Sequence, residues 1–117
     1  MQTLNEAELL TRLRPIVLDA IRSVLAHFPQ VKAAYLFGSR ARGTHRTGSD
    51  TDIALVGNGI DASIQSKIFW ALDDYQLLDT FDIVVLDGTL SEAFRQRIED
   101  EGVEVWRRFN DVLVAAL

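Results

Sequence analysis

Apolar and polar positions change rhythm several times along this chain of 117 residues. Near the N terminus Leu9, Leu13, Ile16, Val17, Ala20, Val24 and Phe28 recur at helical spacing. Asn5 followed by Glu8 has the form of a capping box, which places the helix start at Glu6. Pro15 interrupts the stripe, so it either kinks one helix or sits in the first turn of a second piece; Pro29 ends the run. Residues 31–37 form a short apolar, partly aromatic block that reads as a buried strand. A polar connection with three glycines, residues 38–49, leads to a second strand at 52–56, stopped by the Gly57-Asn58-Gly59 turn.

The second half repeats the alternation. Asp61 is placed to cap a helix whose Ile64, Ile68, Ala71, Leu72, Tyr75 and Leu78 keep helical spacing. Residues 81–86 read as a third strand, closed by Asp87-Gly88. Ser91 caps a further helix through Glu101, with Phe94 and Ile98 turned inward and Gly102 as its stop. A short last strand is expected at 103–106 and one more helix in the tail, 107–117. This order predicts an α/β (α+β) fold, a small mixed sheet of three to four strands flanked by helices. No repeat or linker divides it. The expectation is a single domain over 1–117, with an N-terminal helical segment (1–29), a core (31–106) and the tail.

Composition narrows the function. Apolar residues make up 48% of the chain, enough for one packed core, although a domain this small buries only about two-thirds of its surface. The net charge of −5 argues against non-specific binding to nucleic acid or to anionic membranes. The absence of cysteine excludes disulfides and thiolate metal sites. No apolar run has the length of a membrane span and no signal-peptide pattern opens the chain, so a cytoplasmic protein without membrane contact is expected.

The chemistry concentrates in LFGSRARGTHRTGSDTDIAL, residues 36–55. Asp50 and Asp52 stand two apart where a strand begins, so their side chains share a face. Two such carboxylates either cap backbone N–H groups in a solvated turn or hold a hard cation such as Mg²⁺. Gly38-Ser39 at the end of the first strand is either a tight turn or a place where an anion meets free N–H groups. Arg40, Arg42 and Arg46 lie between, as phosphate partners or as an exposed basic loop. His45 reads as solvated and His27 as packing or surface. Asp82 lies in the apolar run FDIVVL, where a carboxylate is costly unless it is paired, hydrogen-bonded, on metal or simply exposed at the strand start.

Together, Gly-Ser, a spacer, Asp-x-Asp in a strand and a third Asp in a later strand resemble the DNA polymerase β-like nucleotidyltransferase superfamily. GSRARG followed by SDTDIAL is similar to its minimal MNT-type branch, small proteins encoded beside HEPN or substrate-binding helical partners. The resemblance spans residues 31 to about 106. It implies the polymerase β-like fold, with Gly38 and Ser39 holding a triphosphate and Arg42 assisting. It implies Asp50 and Asp52 as ligands of two Mg²⁺ ions, and Asp82 as a further ligand that helps deprotonate the acceptor. The implied reaction moves AMP, or another nucleoside monophosphate, from ATP to a hydroxyl and releases pyrophosphate.

Larger members of the superfamily carry a second domain for the acceptor. The short chain implies instead that a HEPN-like or substrate-binding helical partner presents the acceptor or is itself the acceptor, a tyrosine in the toxin–antitoxin case. The alternative is an antitoxin, or a nucleotide-sensing subunit, that acts by complex formation alone. Trp70, Trp106, Phe109 and the terminal VLVAAL read as core, and the tail positions Val112, Leu113, Ala116 and Leu117 have the alternative of burying against a partner or a second copy.

Overall fold

A computed structural model describes residues 1–109; the helix expected in the tail lies, from residue 110 onward, outside the described residues. The capping box forms: Asn5 Oδ1 accepts the Glu8 N–H at 2.8 Å, and the Asn5 N–H donates to Glu8 Oε1 at 3.3 Å. The helix it starts, α1 (Glu6–Leu9), lasts only one turn. Pro15 then opens α2 (Pro15–Ala26) at its first position, so the proline divides the apolar stripe rather than bending it. The break resets the helical phase. Val17, Leu18, Ile21, Val24 and Leu25 are buried, whereas Ile16, counted into the stripe, faces solvent.

The strands are β1 (Val31–Phe37), β2 (Thr51–Gly57), β3 (Phe81–Val85) and β4 (Val103–Arg107). They form one sheet in the order β3-β2-β1-β4. β1 runs antiparallel to both β2 and β4, and β3 runs parallel to β2. The parallel pair is joined by α4 (Ala62–Asp73), the long crossover that parallel strands require. Between β1 and β2 lies the one-turn helix α3 (Gly38–Arg42), and α5 (Glu92–Glu101) leads into β4. The mixed sheet flanked by helices is as expected. Arg107, assigned to the tail, instead ends β4.

Each face of the sheet carries its own apolar cluster. Leu36, Ile53, Leu55 and Ile83 pack with α2 and α4 residues such as Ile21, Leu25, Ile68 and Leu72. Phe37 and Ala54 pack on the other face with Ile98 and Phe94 of α5, as the alternation of strand side chains requires.

α4 ends earlier than its apolar spacing suggests. Tyr75 and Leu78 lie beyond it, and Gln76 and Leu78 take positive φ of 52° and 65°. This irregular turn buries Leu77 and leaves Leu78 in water, while Arg14 Nη2 donates to the Leu77 carbonyl at 2.6 Å. Of the aromatic residues expected in the core, Trp106 packs against it, with the Arg108 guanidinium 4.9 Å from its ring centre. Trp70 and Phe109, by contrast, are exposed rather than buried in the core. No helix among the described residues is long and apolar enough to cross a membrane.

Candidate active site

The site is assembled at one end of three neighbouring strands. Phe37, the last residue of β1, is the register partner of Asp52 on β2, and Asp52 is the register partner of Asp82 on β3. Asp52 and Asp82 share the α5 face with Ala54 and Val84, two and two residues on. Gly38 follows Phe37 directly, with φ +73°, and any side-chain carbon there would run into the Asp52 carboxylate. Glycine is thus required twice over, by its backbone and by its neighbour.

A cleft of about 420 Å³ lies over these residues. Gly38, Ser39, Arg42, Asp50, Asp52 and Asp82 all line it, so the six residues singled out from the sequence come together in one place. Asp82 is exposed in the cleft, as its place at the strand start allows. The short helix after the first strand is α3, which begins at Gly38 itself.

Five further lining residues were not read from the sequence as part of the site: Phe37 of β1, Ser49, and Phe94, Arg97 and Glu101 of α5. Phe94 was expected to point inward, but only as core. Glu101 is the most consequential. It accepts the Gly38 N–H at 3.0 Å and pairs with Arg42 Nη1 through both carboxylate oxygens, at 3.2 and 3.1 Å. A signal was available: Glu101 stands three residues after Ile98 and seven after Phe94, on the same helix face.

The other basic residues divide differently. Arg40 is only 9% exposed. Its Nη1 donates to the Arg12 carbonyl at 3.0 Å and its Nη2 to the Ser49 carbonyl at 3.1 Å. Arg12 Nη1 returns a bond to the Ala41 carbonyl. Arg40 therefore pins the loop and offers nothing to a phosphate in the cleft. Arg46 lines a separate depression with Arg14 and His45. His45, read as solvated, is half-buried; burial first, and then the Arg40 and Arg12 charges, hold its pKa below the ordinary histidine value. His27 is exposed, with Nδ1 2.8 Å from the Ser23 carbonyl oxygen, and takes no part.

Electrostatics in the cleft centre on Asp52. Its carboxyl is pushed above the usual carboxylate range, by burial first and then by Asp82, Asp50 and Glu101, against the opposing charge of Arg42. Among the described residues, no three acidic or histidine side chains close around a metal position by themselves. Mg²⁺ does not demand that closure: it commonly takes one or two carboxylates and completes its shell with water and phosphate oxygens. An all-oxygen, like-charged set beside anion donors fits such a cation held jointly by protein and ligand.

The family model described as polymerase beta, nucleotidyltransferase, matches residues 19–111 of the chain. Among solved structures, a toxin–antitoxin with AMP-PNP is 25% identical, with 89% of this chain and 82% of that chain covered and a TM-score of 0.65. The toxin–antitoxin MntA-HepT is 23% identical over 88% of this chain and 80% of that one, with a TM-score of 0.61. A tri-AMPylated HEPN toxin of Shewanella oneidensis in complex with an MNT antitoxin is 22% identical, covers 89% and 81%, and has a TM-score of 0.62. No curated protein matches the chain significantly.

Proposed function

The chain belongs to the polymerase beta nucleotidyltransferase family, and on that premise we propose that it is a minimal antitoxin enzyme that transfers AMP from ATP to a hydroxyl of a HEPN-like helical partner. The observation that carries this is the strand-by-strand arrangement of Gly38, Asp52 and Asp82 around one cleft. The similar structures support it through what they contain: AMP-PNP in one, and a tri-AMPylated HEPN toxin bound to its antitoxin in another.

In this reading the Gly38 N–H, the Ser39 hydroxyl and the Arg42 guanidinium receive the triphosphate. Glu101 sits on two of those donors, so an incoming phosphate competes with its carboxylate. Asp50, Asp52 and Asp82 would hold two Mg²⁺ ions, whose chemistry is to neutralise charge on the transferring phosphoryl group and on the leaving oxygen. The acceptor oxygen bonds to the α-phosphorus as the bond from that phosphorus to the β-phosphate's bridging oxygen breaks. Pyrophosphate leaves with the electron pair, and Asp82 takes the hydroxyl proton. The chain's own task is positioning: the sheet end holds Asp52 and Asp82 in register beside the Gly-Ser turn, with Asp50 just ahead of β2.

Incubation with labelled ATP, Mg²⁺ and the helical protein encoded beside this chain is expected to label that protein. The Asp50→Asn, Asp52→Asn double variant is expected to abolish labelling while still folding. Persistent labelling in that variant would remove the assignment of the site. A double variant that fails to label its partner yet still neutralises it would assign the antitoxin effect to binding.

A further inference from the structure

A second cavity, of about 710 Å³, shares no lining residue with the cleft over Asp52. The connection between β1 and β2 contributes to both. Ser39, Ser49 and Asp50 line the cleft, whereas Arg40, His45 and Arg46 line the cavity. The charged wall of the cavity holds three arginines, Arg14, Arg40 and Arg46, and one carboxylate, Asp79. That carboxylate is already taken, since Arg14 Nη2 donates to Asp79 Oδ2 at 2.6 Å. In a chain of net charge −5 the cavity is a local excess of positive charge.

The excess is least compensated at Arg40, which is about nine-tenths buried. Its two terminal nitrogens donate to the Arg12 and Ser49 carbonyls, which are neutral acceptors. Its Nε has no partner, and no carboxylate among the described residues lies within ion-pair distance of it. A buried guanidinium without a counter-ion is strongly disfavoured, because carbonyl oxygens replace only part of its lost hydration. The neighbouring imidazole shares the problem. His45 Nδ1 is buried and unpartnered, and the Arg40 and Arg12 charges oppose protonation of the ring. The Arg46 guanidinium, exposed on the loop, donates to no acceptor among the described residues.

Phosphate suits this wall better than carboxylate. It spreads up to two negative charges over tetrahedral oxygens, which guanidinium forks from different elements can reach together. Here Arg14 caps α2, Arg40 belongs to α3 and Arg46 to the loop. A carboxylate, with two coplanar oxygens, is matched by a single fork.

We propose that this cavity is a second anion site, separate from the cleft, which takes a phosphate group, as the free ion or on a small organic molecule, against the wall of Arg40, His45 and Arg46. It stands independently of the nucleotidyltransferase reading. The bound charge compensates Arg40. Because Arg40 Nη2 holds the Ser49 carbonyl next to Asp50, occupancy steadies the part of the loop that reaches the cleft.

The chain has two histidines, so one proton spectrum carries both a reporter and a control. His45 lines the cavity, and His27 is exposed at the end of α2. Their rings are titrated with pH by NMR, in EDTA, with inorganic phosphate, ribose 5-phosphate, acetate or chloride at matched ionic strength. Either phosphate is expected to raise the His45 midpoint by at least about half a pH unit over chloride, with His27 unchanged and acetate acting like chloride. Whichever of the two phosphates binds more tightly separates the free ion from an organic phosphate. Arg46→Ala, at an exposed side chain, is expected to weaken phosphate binding at least about tenfold. Thr47→Glu, at an exposed position of the cavity wall, supplies a tethered carboxylate. It is expected to raise the His45 midpoint without added anion and to abolish the response to phosphate. Equal His45 midpoints in phosphate and chloride would overturn the site, as would an equal response to acetate. A response that survives Arg46→Ala and disappears in Arg42→Ala would overturn it too, by giving the anion to the cleft.

Discussion

Asp52 and Asp82 are register partners on neighbouring parallel strands, so their carboxylates rise from the same sheet face side by side. Burial and this proximity, together with Asp50 and Glu101, raise the Asp52 pKa. The native state then holds the Asp52 proton more firmly than the unfolded chain does. Its stabilising effect is complete below the ordinary carboxylate pKa and is lost as pH rises through the elevated native value. At neutral pH, without divalent cation, Asp52→Asn is therefore expected to stabilise the fold by about 0.5–1 kcal/mol, a modest gain because the side chain keeps contact with solvent. Thermal melts at pH 7 and at a pH below the carboxylate range check this: the gain should vanish at the acid end. Mg-ATP should stabilise the wild type more than the variant.

Gly38 offers the sharpest test of local geometry. Its φ of +73° disfavours any side chain, and the Asp52 carboxylate occupies the space that one would need. Gly38→Ala is expected to cost about 1–3 kcal/mol of stability and to displace Asp52. Gly48→Ala is the useful comparison. It also has positive φ (+87°) but open space around it, so it should carry only the backbone penalty and retain partner labelling. Chemical denaturation and the labelling assay together separate the two.

Glu101 stands on the Gly38 N–H and Arg42, the donors proposed for the triphosphate, and its removal should be felt there first. Glu101→Gln relieves competition for the Gly38 N–H and Arg42 and reduces negative charge beside Asp52. ATP should bind several-fold more tightly. The lost ion pair, partly exposed, should cost less than about 1 kcal/mol of stability. Arg42→Ala has the opposite sign and should weaken ATP binding about tenfold, equivalent to about 1.4 kcal/mol. Calorimetric titration with Mg-ATP distinguishes this from a purely supporting role for Glu101, which would predict weaker binding in both variants.

Arg40 and Arg46 separate structure from chemistry within one loop. Arg40 is buried and bonded to the Arg12 and Ser49 carbonyls, so Arg40→Ala should cost about 2–4 kcal/mol and melt the loop with it. Arg46→Ala, at an exposed side chain, should change stability by less than about 0.5 kcal/mol. Denaturant titrations of the two variants decide the matter; equal stabilities would contradict the buried role of Arg40.

Much of this protein is legible from one dimension. Caps at Asn5, Asp61 and Ser91, the breaking proline at Pro15 and the alternation of apolar blocks place nearly every element, because capping and periodicity are local properties of the chain. The spacing of Gly38-Ser39, Asp50, Asp52 and Asp82 identifies the family's pattern, since each residue holds its place relative to a strand end.

What the sequence could not determine is which residues meet from distant segments. Glu101 reaches Gly38 and Arg42 across about sixty residues of chain, only because α5 packs on the face opposite α2 and α4. Arg40 turns from a surface charge into a buried staple because the loop folds back onto Arg12. The end of α4 is likewise set from outside: burial of Leu77 outweighs the helical spacing that Tyr75 and Leu78 offered. Periodicity records which side of an element is apolar. Only packing decides which carboxylate finds which donor, and which sheet edge is left open beside Asp82.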